Sequence, residues 1–440
     1  MIFKQKKIGV ISLGCDKNRV DTEKMLTLLG QECLTQDLAE AEIVIINSCA
    51  FLESSRKEAI DTVLECNEYR KHGKLEKIVL TGCLPQKFID ELYDELTEVD
   101  VFLGTKDYAR LPEAIERAYK GERVNLVGSE KSFETEKRVV TTPLHYAYLK
   151  IADGCNNHCT YCLIPSIRGK YRSEKEEDLI AEAAGLGEIS ELILVAQDVT
   201  RYGEDIYGKP MLVNLIRELS KLDNIGGIRI LYAYPDCLSE ELIEEIAEND
   251  KVIKYLDIPL QHASDSVLKR MNRKGSGKSY LELIEKLRDK VKGIAIRSTF
   301  IAGFPGETEE QFKELEEFLK KAQLDNAGFF AYSREAGTAA YKLDGQLPEN
   351  VKQERVKKLY NLQKKISAEK LKKFVGNSIN VVADGIDYEK EVFYGRAYFS
   401  APDIDGKVYF TSTEEVEQGK RYNVHILKSD EYDLYGEVTQ

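Results

Sequence analysis

The chain has 440 residues, about three times the roughly 150 expected of one domain, and it is 42% hydrophobic and 32% charged with 10 Pro and 30 Gly. A single small module, a disordered chain and a collagen-like repeat are excluded. Its 63 Lys and Arg face 76 Asp and Glu, a net charge of −13, which argues against gripping nucleic acid through overall charge.

No apolar run approaches the roughly 18 residues of a membrane span. The N-terminal lysines and the Ile8 to Leu13 run lead at once into Gly14-Cys15-Asp16-Lys17, which is unlike a signal peptide. The expectation is a cytoplasmic protein with no membrane role. Nine Cys in a reducing compartment call for metal or redox chemistry before a disulfide framework.

Short β-branched runs alternate with helical patterns at the start: Ile8 to Leu13 then Val20 to Gly30, Ile43 to Ile46 then Ser54 to Cys66, Lys77 to Leu80 then Gln86 to Glu95. This predicts an open parallel α/β sheet domain over 1–130. Each strand ends at a cysteine, in Leu13-Gly14-Cys15, Asn47-Ser48-Cys49 and Thr81-Gly82-Cys83. Ligands of open α/β sheets bind beyond the carboxyl ends of the strands, so these three loops are expected to converge. Ser129 to Thr142 is polar and fits a linker.

Strand patterns at Tyr146 to Ala152, Glu191 to Val195, Ile228 to Tyr232, Tyr255 to Pro259, Ile294 to Ile301 and Gly328 to Tyr332 are interleaved with helical ones. They predict a full or partial (βα) barrel over 141–345, with its site at the strands' C-terminal ends. Asn350 to Lys373 reads as one Lys-rich connecting helix, taken with its lead-in as 346–373. Five short strands with turns at Asp384-Gly385 and Asp405-Gly406 predict a small antiparallel β-barrel over 374–440.

The sharpest motif is Cys155-Asn156-Asn157-His158-Cys159-Thr160-Tyr161-Cys162, just after the first strand of the central domain. Three thiolates on one short loop can hold three corners of a cubane iron–sulfur cluster and leave the fourth iron open. Zinc is the alternative, with His158 or His145 as a fourth ligand, but neither has finger or ribbon spacing. Cys15, Cys49 and Cys83 stand 34 residues apart, the period of a βα unit. Singly each suits a buried apolar site; on three equivalent loops they suit a second three-thiolate cluster. Cys33, Cys66 and Cys237 have no such setting and read as structural. Gly275-Ser276-Gly277-Lys278-Ser279 echoes a phosphate-binding loop, but Asn272 stands where that motif needs Gly and no strand precedes it, so it reads as a helix start.

Cys155, Cys159 and Cys162 resemble the signature of radical S-adenosylmethionine (SAM) enzymes. The resemblance implies that SAM chelates the open iron and is cleaved reductively to a 5′-deoxyadenosyl radical. It also sets Tyr161 near the adenine, against core packing as the plainer reading. Ile301-Ala302-Gly303-Phe304-Pro305-Gly306-Glu307-Thr308 is similar to the family's SAM-binding strand end, which marks Gly303 and Pro305. Gln197, Asp198, Gln261 and Arg297, at or near strand ends, are candidates for SAM or substrate, with ordinary loop polarity as the alternative.

The arrangement of a three-Cys α/β domain, a radical SAM domain and a TRAM-type barrel resembles the methylthiotransferases, which replace C–H by C–SCH3. The start Ser12-Leu13-Gly14-Cys15-Asp16-Lys17-Asn18-Arg19-Val20-Asp21 is similar to the branch that modifies an aspartate of small-subunit ribosomal protein S-twelve. The sequence departs from the family pattern after Arg168-Gly169, where Ser173 is followed by Glu174-Lys175. The resemblance implies two 4Fe–4S clusters, SAM as both radical source and methyl donor, an electron donor and a sulfur source. A tRNA adenosine methylthiotransferase is the alternative enzyme, and a non-catalytic iron–sulfur or zinc redox or ribosome-binding protein is the alternative class. Residues 374–440 carry thirteen acids against six bases, which favours a basic protein substrate over the phosphates of RNA.

Overall fold

The computed structural model describes residues 2–128 and 138–439; most of the expected linker lies outside them. The chain divides into two compact units. One comprises Met1–Thr141, Asp153–His158 and Cys162–Leu186; the other comprises Thr142–Ala152, Cys159–Tyr161 and Gly187–Gln440.

The first unit carries a five-stranded parallel sheet in the order Ile8–Ser12, Ile43–Ser48, Lys77–Gly82, Val101–Phe102 and Val124–Asn125. Ile43–Ser48 is buried along its whole length, as a parallel strand covered on both faces must be. The three expected helices are Asp16–Leu29, Glu53–Asn67 and Cys83–Glu95. The last two strands have two residues each, too few to leave a period in the sequence. Ser12 pairs in register with Asn47, and Ser48 with Gly82, so the first three strands end level. Their cysteines leave the sheet from one edge. The stretch after Cys162, assigned from sequence to the central domain, packs in this unit, where Leu163 and Ile167 enter the apolar core beside Leu80, Leu84 and Phe102.

The second unit holds a six-stranded sheet in the order Asn326–Ala331, Ala295–Ala302, Val252–Asp257, Ile228–Ile230, Glu191–Val195 and Tyr146–Lys150. All its neighbours pair parallel and the sheet is open, so the barrel is partial. Ser276 caps the helix Gly277–Lys290 by a reciprocal capping box with Ser279, which makes the Gly275 to Ser279 stretch the helix start expected of it. The connecting helix is Glu349–Leu371. It lies on the edge strand through Tyr360, whose ring meets Phe329 edge-on at 5.1 Å between centroids.

Five C-terminal strands close into a barrel. It is not wholly antiparallel as expected, because Val408–Thr411 pairs parallel with Leu434–Val438. The chain reaches that position through Arg421–Ser429, which is antiparallel to both of its own neighbours, and closing the ring beside Val408–Thr411 leaves one like-directed pair.

Buried charge docks this barrel on the six-stranded sheet. Glu191 accepts from Arg229 Nε at 2.5 Å and from Arg396 Nη1 at 2.9 Å. Arg396 also pairs with Asp384 at 2.8 Å, and Asp384 meets His145 at 2.7 Å. Asp405 lies 3.3 Å from Arg297 Nε and accepts from the Tyr255 hydroxyl at 2.7 Å. Two acids counted toward a substrate-facing surface therefore neutralise arginines inside the molecule. What faces solvent is eight exposed acids against five exposed bases, a much smaller excess than the composition of 374–440 suggests. Among the described residues no helix is long and apolar enough to cross a membrane.

Candidate active site

Cys15 caps the N-terminus of the helix Asp16–Leu29, Cys49 follows its strand directly, and Cys83 opens the helix Cys83–Glu95. Asn18 ties the three loops together. Its amide nitrogen donates to the carbonyls of Leu13 and Ser48, both at 3.1 Å, while Cys83 Sγ lies 3.7 Å from its Oδ1. Gly14 has φ +91°, and a side chain there would run into Cys49, its Cβ 2.7 Å from the Cys49 Cβ. Only glycine lets the Cys15 and Cys49 loops approach this closely.

Burial pushes the Cys83 thiol up to about 12 although Arg168 opposes it, and burial likewise raises Cys49. Thiols held neutral this way give up their protons to a metal that binds thiolate. Three soft sulfurs at one sheet edge, in a cradle that a glycine keeps open, fit a cluster. Among the described residues no three His, Cys, Asp or Glu side chains gather as ligands of a single ion would; a cubane takes each thiolate on a different iron.

In the second motif, Asn157 N–H donates to Cys155 Sγ and Ile164 N–H to Cys162 Sγ, each at 3.4 Å. Such bonds stabilise sulfur in its anionic, metal-binding form. Gly154 has φ +80°, and a Cβ there would lie 2.2 Å from the Lys170 carbonyl. Cys159, on the other unit, has its Sγ 3.9 Å from the Tyr234 hydroxyl. Arg273 stacks over the Tyr234 ring at 4.0 Å. Tyr161 is half-buried and packs against the apolar cluster of Val267, Met271, Phe304 and Tyr332.

The expected SAM strand end is built around Glu307. Its Oε2 accepts the N–H of Gly303 at 2.9 Å and of Phe304 at 3.3 Å, and lies 3.3 Å from His262 Nε2. Its Oε1 meets Arg355 of the connecting helix at 2.5 Å. Burial works to raise this carboxyl, and His262 and Arg355 hold it lowered. Gly303 and Gly306 both have φ +75°, and Pro305 is buried between them.

Gln261 is a non-glycine residue at φ +73° whose backbone bridges to the next strand at Thr299 and Ile301, both at 2.8 Å. Strain of this kind gathers at ligand sites. Gln197 lies half-buried just past its strand. Asp198 accepts the Thr200 N–H at 3.1 Å and caps the turn Val199–Arg201. Arg297 pairs with Asp257 at 3.0 Å and with Asp405 of the C-terminal barrel. Asn18, Arg168, His262 and Glu307 organise these sites without having been marked from sequence. Asn18 and Glu307 stand inside the Ser12 to Asp21 and Ile301 to Thr308 motifs and Arg168 in the Arg168-Gly169 pair, whereas His262 has no local signal.

A partial parallel (βα) barrel that opens on a C-x3-C-x2-C loop is the architecture of a radical SAM enzyme. Residues 149–319 match the radical SAM superfamily, residues 7–104 the uncharacterized protein family UPF0004, and residues 375–439 the TRAM domain. The fold is shared with the radical SAM methyltransferase TsrM of Kitasatospora setae, at a TM-score of 0.54 and 13% identity over 74% of this chain and 75% of that one. Full-length relatives include ribosomal protein uS12 methylthiotransferase RimO of Clostridium botulinum strain Eklund 17B, 47% identical over 98% of both chains. The protein of the same name from Thermoanaerobacter sp. strain X514 is 44% identical over 98% of this chain and 100% of its own. The chain belongs to the ribosomal protein uS12 methylthiotransferase family.

Proposed function

We propose that this chain forms a methylthio-aspartate on small-subunit ribosomal protein uS12 in the cytoplasm, with Cys155, Cys159 and Cys162 holding one 4Fe–4S cluster and Cys15, Cys49 and Cys83 another. The observation that carries the reading is the convergence of the second thiol set at level strand ends, separate from the first. Hydrogen abstraction and sulfur delivery each need a centre, because no side chain deprotonates an unactivated C–H bond. When bound, the clusters and SAM supply the 5′-deoxyadenosyl radical, a site from which sulfur is delivered, and the methyl group.

The chain's own part is to hold and orient. Residues 1–130 carry the sulfur-delivery site, 141–345 bind and cleave SAM, 346–373 support the Gly303 turn through Arg355, and 374–440 form the TRAM-type barrel. Gly303, Pro305 and Gln261 line the SAM-binding strand ends, with Gln197 beside them. Asp198 shapes its own loop, and Arg297 fixes the barrel. The uS12 assignment rests on the Ser12 to Asp21 motif and on the relatives. The exposed charge of the barrel adds less, since eight acids against five bases make a weak field, although its sign suits a basic protein better than tRNA. An external electron donor and a sulfur source complete the reaction.

Iron content tests the assignment of the six cysteines. Anaerobically reconstituted protein is expected to bind about eight irons, by the cubane count, and the Cys155→Ala/Cys159→Ala/Cys162→Ala variant about half of them. Full iron retention by that variant, or stoichiometric zinc in either protein, contradicts the assignment.

A further inference from the structure

Arg168 is 1% exposed, and neither cysteine motif calls for a cation at its position. Its Nη1 pairs with Asp21 at 2.6 Å and with Asp153 at 3.1 Å. Its Nη2 hydrogen-bonds Asn18 Oδ1 and reaches Cys83 Sγ at 3.4 Å. Burying a guanidinium costs several kcal/mol before pairing repays it, and here two carboxylates satisfy one edge of the fork. The other edge is directed at a sulfur and at the asparagine that ties the three cysteine loops together.

The same stretch of chain holds the second cysteine motif. Asp153 stands two residues before Cys155, and its Oδ1 accepts the Gly154 N–H at 2.9 Å. The carbonyl of Gly169, next to Arg168, accepts the Cys155 N–H at 3.2 Å. All of these residues lie in the first unit.

We propose that Arg168 is a positioning residue that donates a hydrogen bond to the Cys83 thiolate and thereby sets the reduction potential of the cluster held by Cys15, Cys49 and Cys83, while Asp153 and Gly169 keep the start of the Cys155 loop on the same support. The inference rests on the two-cluster reading. Reduction adds negative charge to a cluster, and an N–H donor on a ligand sulfur stabilises that charge, so the bond raises the potential. A guanidinium that only neutralised its carboxylates would leave no nitrogen bonded to the Cys83 sulfur, and so none coupled to the reduced cluster.

The test uses full-length protein carrying Cys155→Ala/Cys159→Ala/Cys162→Ala, which leaves one cluster site, with Arg168→Met or Arg168→Lys added. Iron is counted, and the midpoint of one-electron reduction by dithionite is followed by electron paramagnetic resonance. In Arg168→Met the ratio of reduced to oxidised cluster at a fixed potential is expected to fall about tenfold, a shift of about 59 mV for one electron; Arg168→Lys, which keeps the charge, is expected to recover part of it. Full iron with an unchanged midpoint in Arg168→Met overturns the role of Arg168 and leaves the cluster intact. Fewer than about four irons in the background protein overturns the cluster reading, and this inference with it. Should Arg168→Met fail to load iron, protein labelled with 15N-arginine and retaining Arg168 decides the matter: pulsed resonance is expected to show a guanidinium nitrogen coupled to the reduced cluster, and absence of that coupling overturns the proposal.

Discussion

The Cys15→Ala/Cys49→Ala/Cys83→Ala variant is expected to cleave SAM to 5′-deoxyadenosine while losing methylthio product by on the order of 10³-fold or more, as happens when the group carrying a reacting atom is removed. The two thiol sets hang on different parts of the chain. Cys15, Cys49 and Cys83 follow strands of the first sheet, whereas Cys155 and Cys162 are fixed by local backbone donors at Asn157 and Ile164. Deleting the first set leaves those donors, the Tyr234 contact to Cys159 and the Glu307 turn unchanged. Chromatography of the anaerobic reaction for 5′-deoxyadenosine and for modified substrate reads both outcomes. Product at the unsubstituted level contradicts the sulfur-delivery role, and loss of 5′-deoxyadenosine contradicts the division of labour.

Arg396→Met is expected to destabilise the second unit by about 3–5 kcal/mol, the usual cost of leaving buried charge without its partner. It strips one cation from Glu191 and the Arg contact from Asp384. Burial works to raise the Glu191 carboxyl, yet Arg229 and Arg396 together hold it down at about 2. A carboxylate depressed in the folded state contributes stability that is fully present above its ordinary value near 4.5 and is lost as pH falls toward about 2. Arg396→Met raises the folded value, so its acid-unfolding limb moves to higher pH as well as its melting temperature falling. Thermal melts between pH 3 and 7 give both; an unchanged acid limb shows that the network does not dock the barrel. The same network makes deletion of 374–440 a poor probe of substrate binding, since it would bare Glu191, Arg229 and Arg297 together.

Most strands were legible because long parallel strands read as continuous apolar runs, as in Ile43 to Ile46, and the long helix because of its Lys-rich run from Asn350 to Lys373; its buried face, with Leu359, Gln363 and Ile366, was not. The two-residue strands Val101–Phe102 and Val124–Asn125 were not, because tertiary pairing rather than local pattern makes them strands. Convergence of Cys15, Cys49 and Cys83 followed from where strands end. Spacing does not report the charge partners of a residue, and for that reason neither the pairing of Arg297 with Asp257 and Asp405 nor the burial of Asp405 inside the molecule was legible. The Arg168-Gly169 pair stood out through the family pattern alone, and its contact with Cys83 was not legible for the same reason, since Cys83 lies 85 residues away in sequence.

Mass spectrometry of ribosomal protein uS12 and of tRNA, each incubated anaerobically with the reconstituted protein, SAM, a reductant and a sulfide source, tests the central claim most directly. The expected result is one methylthio group on an aspartate of uS12, absent when Cys155, Cys159 and Cys162 are Ala and absent when Cys15, Cys49 and Cys83 are Ala. Methylthio-adenosine in the tRNA with uS12 unmodified would contradict it.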